Sequence, residues 1–599
     1  MARKPDGKLG PLNGGGTAPE TVPTKGRDFS EMRVALDARL ASLEMYRWSW
    51  WVHWRDLAEY FLPRRFEWLV TPNRFNKGSP VNQRIIDSTG TLAARTLASG
   101  LMSGTTSPAR QWFWLTIANK QMAELGPVKL WLEAVTSRMR EVMAGSNYYS
   151  AKAMQYFDEV IFGTAPMIIY DNYEDPDKVI RCFNPVAGEY YAASNQNFAV
   201  DTLYRKFTLS LDQMVREFGI DNVPPEDAAA WKQRGSQLAV ERIVANAIEP
   251  NPEYAEGVAE PGPSGLPRHF KFRDIYWRFG SSSSELLRMQ GFFEQPFSCP
   301  RWDTESNQAY GRSPAMDALG DVKQLQLEQK RKAQAIDKMV NPPLVADISM
   351  KNQPASLLPG AMNYAPNLGP GTGVRPIFQV MPPLAELQQD IAEVQQRIGR
   401  VLFNDLFLMI SNLNTVRSAT EIDARKEEKL IQLGPVLERN DTEGLDPDIN
   451  RIFRICARRG LFPPVPPQLH GVPIKVSYIS VLADEQRATS TAAIERLVQF
   501  VGGIAAADPA ALDMVDFDAA IQRYSDLLHV PPNLVRDAQQ VKGLRAARAK
   551  QQAAQATMQT SMAAAQGAQT LSNTDVGGGM NALQAILAGG QGNNPAGGP

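Results

Sequence analysis

The residues best suited to chemistry stand close together in a short acidic turn, Asp171, Asp175 and Asp177, within the run DNYEDPD. Their spacing is a fragment of a calcium loop. Pro176, however, occupies the place where such a loop needs its turn glycine, and no Glu follows at the twelfth position. Two β-prone runs flank the acids, so the pattern predicts a hairpin with a solvated acidic tip. A metal-dependent hydrolase using these acids is the enzymatic alternative. His53, His269, His470 and His529 stand singly, without HExxH or a comparable ligand spacing. No GxxxxGK[ST], no strand-to-helix GxGxxG and no GxSxG elbow occurs. The sequence therefore nominates no catalytic residue, metal ligand or cofactor. Any nucleotide hydrolysis that drives its work is expected to belong to another protein.

Composition narrows the class. With 599 residues the chain has room for about four domains. Its hydrophobic fraction of 43% and charged fraction of 21% are those of an ordinary soluble protein. A formal net charge of −1 excludes a wholesale electrostatic DNA binder, so nucleic-acid contact must be local or weak. Cys182, Cys299 and Cys456 are far apart and form no CxxC, which fits buried free thiols in a reducing compartment. No signal peptide is expected, and no membrane span: the most apolar helical run, from Val401, is short and carries Asp405.

The positioning elements follow in chain order. Residues 1–28 are rich in Gly, Pro and Lys and read as a disordered tail. A helical pattern begins at Phe29 and runs into an aromatic stretch where Trp48, Trp51 and Trp54, with Tyr60 and Phe61, are expected to pack into a core; a stacking surface for nucleic acid is the alternative. Gly100 and Gly104, four residues apart, suggest close backbone packing. Strand-like segments recur up to Met289, so residues 29–310 read as an α+β region with an antiparallel sheet.

A long helix then starts with Ser313 as cap and Pro314 at its first position, and stops before Asn341-Pro342-Pro343. A second begins near Leu384, where Leu384, Leu387, Ile391, Val394, Ile398 and Val401 alternate steps of three and four; this is a heptad stripe made for packing against helices. Between them lies a proline-rich segment, 341–383, with β-like runs PPLVADI and VRPIFQV. The second helix is expected to end near Ile410. Ser411, Asn412, Leu413, Asn414, Thr415, Val416, Arg417 and Ser418 then form a polar loop, and Ser418 with Glu421 makes a capping box for a third helix. A strand follows in KVSYISVLADEQR. Largely helical sequence extends to Leu544, an Ala/Gln-rich solvated helix to Gln569, and flexible Gly- and Asn-rich sequence to the end.

Four ordered segments carry a resemblance: LASGLMSGTTSPARQWFWL, YGRSPAMDALGDVKQL, RSATEIDARKEEKLIQLGPVLER and YISVLADEQR. Together the chain resembles the portal, or head-to-tail connector, proteins of tailed bacteriophages, specifically of podoviruses. The resemblance implies an α+β multidomain portal fold with an α/β wing, a two-helix stem, a small α/β clip and a helical crown. The implied division is a wing at 29–310, stem helices at 311–340 and 384–410, a clip at 341–383 and a tunnel loop at 411–418. A wing helix and returning strand at 419–485, a crown at 486–560 and a flexible tail at 561–599 complete it. It also implies a homo-oligomeric ring, expected to have twelve subunits, at one capsid vertex of the virion, assembled in the host bacterial cytoplasm. Double-stranded DNA would pass non-specifically through its channel during packaging and ejection. Terminase, a tail adaptor, and the major capsid and scaffolding proteins are the implied partners. Arg417, the only charge in the loop, would meet DNA phosphates transiently or pair with a neighbouring carboxylate. A different virion assembly protein, a scaffold or tail component built on a helical bundle, is the alternative function.

Overall fold

The computed structural model describes residues 8–9, 21–65, 84–117, 125–173, 177–281, 284–340, 344–345, 375–376, 383–405, 433–472, 474–478, 494–503, 515–527 and 538–573, with a few single positions between and after them. The chain divides into two compact units, one of residues 1–123 with 131–485 and another of 124–130 with 486–599. The first is mixed α+β.

In the first unit, helix α1 (Ser30–Phe61) forms because Leu36, Leu40 and Leu43 recur at steps of three and four and share one face. That face packs on a six-stranded antiparallel sheet, in the order β2 (Thr21–Val22), β10 (Arg288–Phe292), β9 (Phe272–Arg278), β8 (Glu241–Pro250), β7 (Val200–Ser210) and β6 (Tyr190–Ser194). Alternate residues Ala245, Ala247, Ile275 and Trp277 meet the helix. Thr21–Val22 belongs to this sheet, so the tail expected over 1–28 is paired at that point: Val22 is buried and its backbone answers Met289. A smaller sheet joins β11 (Phe297–Ser298), β4 (Met167–Asp171) and β5 (Ile180–Phe183). Its β4–β5 pair is the hairpin expected around the acidic turn. A third sheet pairs β14 (Ile474–Tyr478) with β3 (Phe113–Ile117) and Lys8–Leu9.

The largest core lies where α1, α2 (Thr89–Thr105), α4 (Tyr148–Phe162), α7 (Pro314–Val340) and α8 (Leu384–Val401) converge. Between α2 and α4 runs α3 (Gly126–Ala144); α5 (Leu211–Phe218) and α6 (Pro225–Gln233) follow β7. Trp54 is fully buried and its Nε1 donates to the Phe162 carbonyl at 3.1 Å. Trp48 departs from expectation, with 65% of its surface exposed. It lies off the stripe of Leu36 and Leu40, where no described element covers it. At Gly104 a Cβ would meet no described residue, so the close approach expected there is not seen. It falls instead at Gly90, whose missing Cβ leaves room for Val322 and Phe61.

The last helix of the first unit, α9 (Asp446–Arg458), follows a five-residue π turn, Asp441–Leu445. All three cysteines are free and buried. Burial pushes the Cys456 thiol up to about 12 and raises those of Cys182 and Cys299 too, so they are inert packing groups.

The described residues of the second unit are helical, including 494–503, α10 (Phe517–Leu527) and α11 (Ala538–Ser572). Arg545 pairs with Asp518 at 2.5 Å. Helix α11 is solvated along its length and ends at Ser572, close to the end expected at Gln569; its sequence is rich in the strong helix formers Ala and Gln. No described helix is long and apolar enough to cross a membrane.

Candidate functional site

The feature built with most care in the first unit is the two-helix hairpin of α7 and α8. Its base is fixed at Ser313, whose Oγ accepts from the Met316 backbone N–H at 3.1 Å and donates to the Ile161 carbonyl at 2.7 Å. One side chain thus caps α7 and ties it to α4. Just before it, Tyr310 is fully buried; its hydroxyl accepts from the Ala192 N–H at 2.9 Å, and its ring meets Trp54 edge-on at 5.3 Å. The Gly311 N–H donates to Thr164 Oγ1 at 2.8 Å.

Helix α7 has two halves of different character. Ala315, Met316, Ala318, Leu319, Val322 and Leu325 are buried in the main core. Beyond them Leu327, Ile336, Met339 and Val340 are 40–71% exposed. At about 1.5 Å per residue the 27-residue helix is about 40 Å long, so roughly half of it continues past the core. That distal half carries Lys330, Arg331, Lys332 and Lys338, interspersed with Glu328 and Asp337.

The heptad stripe of α8 packs as its spacing requires at its centre. Ile391, Val394 and Ile398 are buried, while Leu384, Leu387 and Val401 are half-buried. Helix α8 ends at Val401, residues 404–405 are helical again, and the end expected near Ile410 lies outside the described residues. Leu402 turns into the core, Phe403 takes a positive φ of 52° and its ring sits 6.4 Å from that of Trp302, and this change of direction keeps both apolar side chains inside. Ser411, Asn412, Leu413, Asn414, Thr415, Val416, Arg417 and Ser418 lie outside the described residues. Of the segment between the helices, Leu344–Val345 and Arg375–Pro376 are described and pair antiparallel, within the two β-like runs read from the sequence.

A polar clamp that no sequence pattern announces joins the two helices to α2. Gln326 accepts from the Ile86 and Asp87 N–H groups at 2.7 and 2.9 Å and donates to the Asp87 carbonyl at 2.8 Å. Gln329 of α7 and Gln395 of α8 both donate to Asp87 Oδ2, at 2.9 and 2.8 Å. Asp87 Oδ1 accepts from the Thr89 N–H at the start of α2. Partial burial pushes the Asp87 carboxyl up, but hydrogen bonds from Thr89, Gln395 and Gln329 outweigh it and hold the group below its usual value. Around this clamp Lys323 pairs with Asp56 at 2.7 Å, and Arg397 with Asp321 at 3.4 Å.

Behind the hairpin base lies a set of buried charges. Lys152 and Asp448, neither exposed at all, pair at 3.1 Å; Tyr148 donates to the same carboxylate oxygen, and Lys152 donates also to Gln155. Nearby, burial pushes Glu159 up to about 8 against the pull of Lys152 and Arg439, and pushes Asp441 up to about 7. The DNYEDPD acids take structural partners: Asp171 pairs with Arg459, and Asp175 caps its own turn through the Asp177 N–H. The groups assembled here hold helices; none of these contacts sets a nucleophile beside a base.

A sequence-family model described as "Bacteriophage head to tail connecting protein" matches residues 33–535. The portal protein of Salmonella phage epsilon15 is 41% identical over 538 residues, covering 90% of this chain and 94% of that protein. The probable portal protein of Bordetella phage BPP-1 is 39% identical over 524 residues, covering 87% and 92% respectively.

Proposed function

The chain belongs to the family of bacteriophage head-to-tail connecting proteins, and from that membership we propose that it forms the portal ring at the unique capsid vertex. In this reading the ring, expected to have twelve subunits, is the conduit for genome packaging and ejection. It presents its clip first to the terminase motor and then to the tail adaptor. The hairpin α7–α8 acts as the stem beside the channel, 341–383 as the clip and 411–418 as the tunnel loop.

The observation that best supports this reading is the division of α7. Its first half is anchored by the Ser313 cap and the Asp87 clamp, while its second half carries Leu327, Ile336 and Met339, which the described residues leave 40–47% exposed. A helix held rigidly at one end and carrying exposed apolar side chains among charges at the other is suited to packing against copies of itself. The mixed charge of the distal half suits a duplex that must slide, because every neutralised phosphate adds affinity and hence drag. No described residue cluster offers catalysis, so motion of the duplex would be powered by a separate nucleotide-hydrolysing partner.

Electron microscopy of the purified protein tests the proposal. Rings with a central hole and countable subunits are the expected result. A compact monomer at micromolar concentration under several salt conditions would overturn it, and fibres or plugs would favour a scaffold or tail component instead.

A further inference from the structure

Helix α1 carries two apolar stripes, and the fold of one subunit uses only the first. Leu36, Leu40 and Leu43, continued by Trp54, Leu57 and Phe61, enter the core. On another face Val34, Ala38, Ala41, Met45, Trp48 and Val52 alternate steps of four and three, and all six are exposed. That spacing is the seam of a coiled coil. Exposure reaches 70% at Val34, 81% at Met45, 65% at Trp48 and 50% at Val52. Scattered apolar residues are ordinary on a protein surface, but an unbroken seam over about five helical turns marks an interaction face.

The flanks of the seam suit the close approach of another helix. One flank is small: Ala35, Ser42 and Ser49, all exposed. On the other flank the acids are turned toward the sheet, where Asp37 accepts from Trp277 Nε1 at 2.9 Å and Glu44 pairs with Lys206 at 3.4 Å. The seam itself contains no charge.

The order of side-chain sizes points to the occupant. If two copies of α1 lie antiparallel and centred on residue 43, Trp48 faces Ala38, Met45 faces Ala41 and Val52 faces Val34. Large side chains then meet small ones layer by layer, as interdigitated packing requires. The layer beyond sets Glu31 of one copy beside Arg55 of the other. A parallel pair would instead press Trp48 on Trp48 and leave a void between alanines. A seam that is self-complementary about its own midpoint fits an isologous contact between identical chains.

We propose that the free subunit pairs with a second copy of itself through this face of α1, antiparallel and two-fold. Such a contact closes at two copies, so it is separate from any contact that runs around a ring and does not rest on the ring reading. The seam is about 27 Å long and one helix wide, less than a standard interface, so the pair is weak and forms as concentration rises.

Sedimentation velocity of the full-length chain over a concentration series tests the pairing, with monomer and dimer read apart from any ring. Trp48→Ala sets two small residues face to face, and Ala38→Trp sets two tryptophans face to face. Each alone is expected to weaken the dimer about tenfold. Both changes in one chain exchange large and small within the same layer and are expected to restore most of the affinity. Mixing Ala41→Cys chains with Met45→Cys chains under mild oxidation is expected to give a cross-linked dimer that neither gives alone. All four positions are exposed, so unchanged circular dichroism is expected throughout. Losses that simply add in the double variant, or cross-links within each cysteine variant alone, overturn the antiparallel pairing. A wild type that forms rings but no dimer also overturns it and leaves the ring standing. Dimers without rings support the pairing and overturn the ring alone.

Discussion

Gly163 and Gly311 meet backbone to backbone where α4 ends and the approach to α7 begins. A Cβ on Gly311 would stand 2.5 Å from the Gly163 carbonyl oxygen, and a Cβ on Gly163 would stand closer still to the Gly311 carbonyl. Gly163 also has a φ of +76°, in the left-handed region that side chains resist. Backbone cannot swing aside as a flexible side chain can. Gly163→Ala and Gly311→Ala are therefore each expected to cost more than about 2 kcal/mol and to lower the melting temperature by several degrees. Gly320 lies within α7 with open space where its Cβ would go, so Gly320→Ala should stabilise by about 0.5–1 kcal/mol. Differential scanning calorimetry of the three variants separates steric crowding from any general intolerance of substitution near α7.

The Asp87 clamp carries a second prediction. Asp87→Ala removes the acceptor shared by Gln329, Gln395 and Thr89 and leaves two partly buried amides unpaired, so a loss of about 2–3 kcal/mol is expected. Faster hydrogen exchange should appear in α8 and the start of α2, with the β7–β8 pair unchanged. Because Asp87 is held below its unfolded value near 3.8, its contribution is present above that pH and is lost as pH falls through the lower folded value. A melting series in acid should show wild type and Asp87→Ala converging only below about pH 4.

What the sequence disclosed depended on whether a cause was local. The start of α7 was legible because capping and proline placement act within four residues, and Ser313 does both jobs its position allows. The centre of the α8 stripe and the β4–β5 hairpin were legible for the same reason, since each is a short-period pattern. The Asp87 clamp was not, because a glutamine in a helix looks the same whether it faces water or a carboxylate more than 300 residues away, as Gln395 does. Trp48 misled because aromatic content says nothing about which face of a 32-residue helix its neighbours will cover.

The buried carboxyl Glu159 predicts an unusual response to alkali. With its folded value at about 8 and an ordinary value of 4.5, the folded state holds between them a proton that the unfolded chain releases. Stability is therefore full below about 4.5 and declines as pH rises toward 8, by at most about 1.4 kcal/mol per pH unit from this group. Glu159→Gln keeps the shape and removes the titration. Urea midpoints measured from pH 5 to pH 8 should fall less steeply in the variant. An identical slope would mean that Glu159 is ionised in the folded protein.

Lys152 and Asp448 give a prediction about non-additivity. Both side chains are fully buried and 3.1 Å apart, so removing either strands a charge in the core. Lys152→Met or Asp448→Asn alone should cost about 3–5 kcal/mol. The double variant should cost clearly less than the sum, since neither partner is then left uncompensated. Simple addition of the two losses in denaturant unfolding would show that Tyr148 and Gln155, rather than the ion pair, hold this region together.

The last prediction concerns Arg417, which lies outside the described residues but carries the proposed contact between loop and duplex. It is the only charge among residues 411–418, so in a ring it would supply one cation per subunit at the channel and no more. A phosphate contact of this kind adds one unit of counterion release per engaged subunit, enough to guide a duplex without gripping it. Arg417→Ala is therefore expected to reduce packaging rate or packaged DNA length in a reconstituted packaging reaction, with the deficit growing smaller as salt is raised. Arg417→Lys keeps the charge and should retain most activity. If the Ala variant packages at the wild-type rate to the wild-type length, Arg417 does not touch DNA, and its charge serves a neighbouring carboxylate instead.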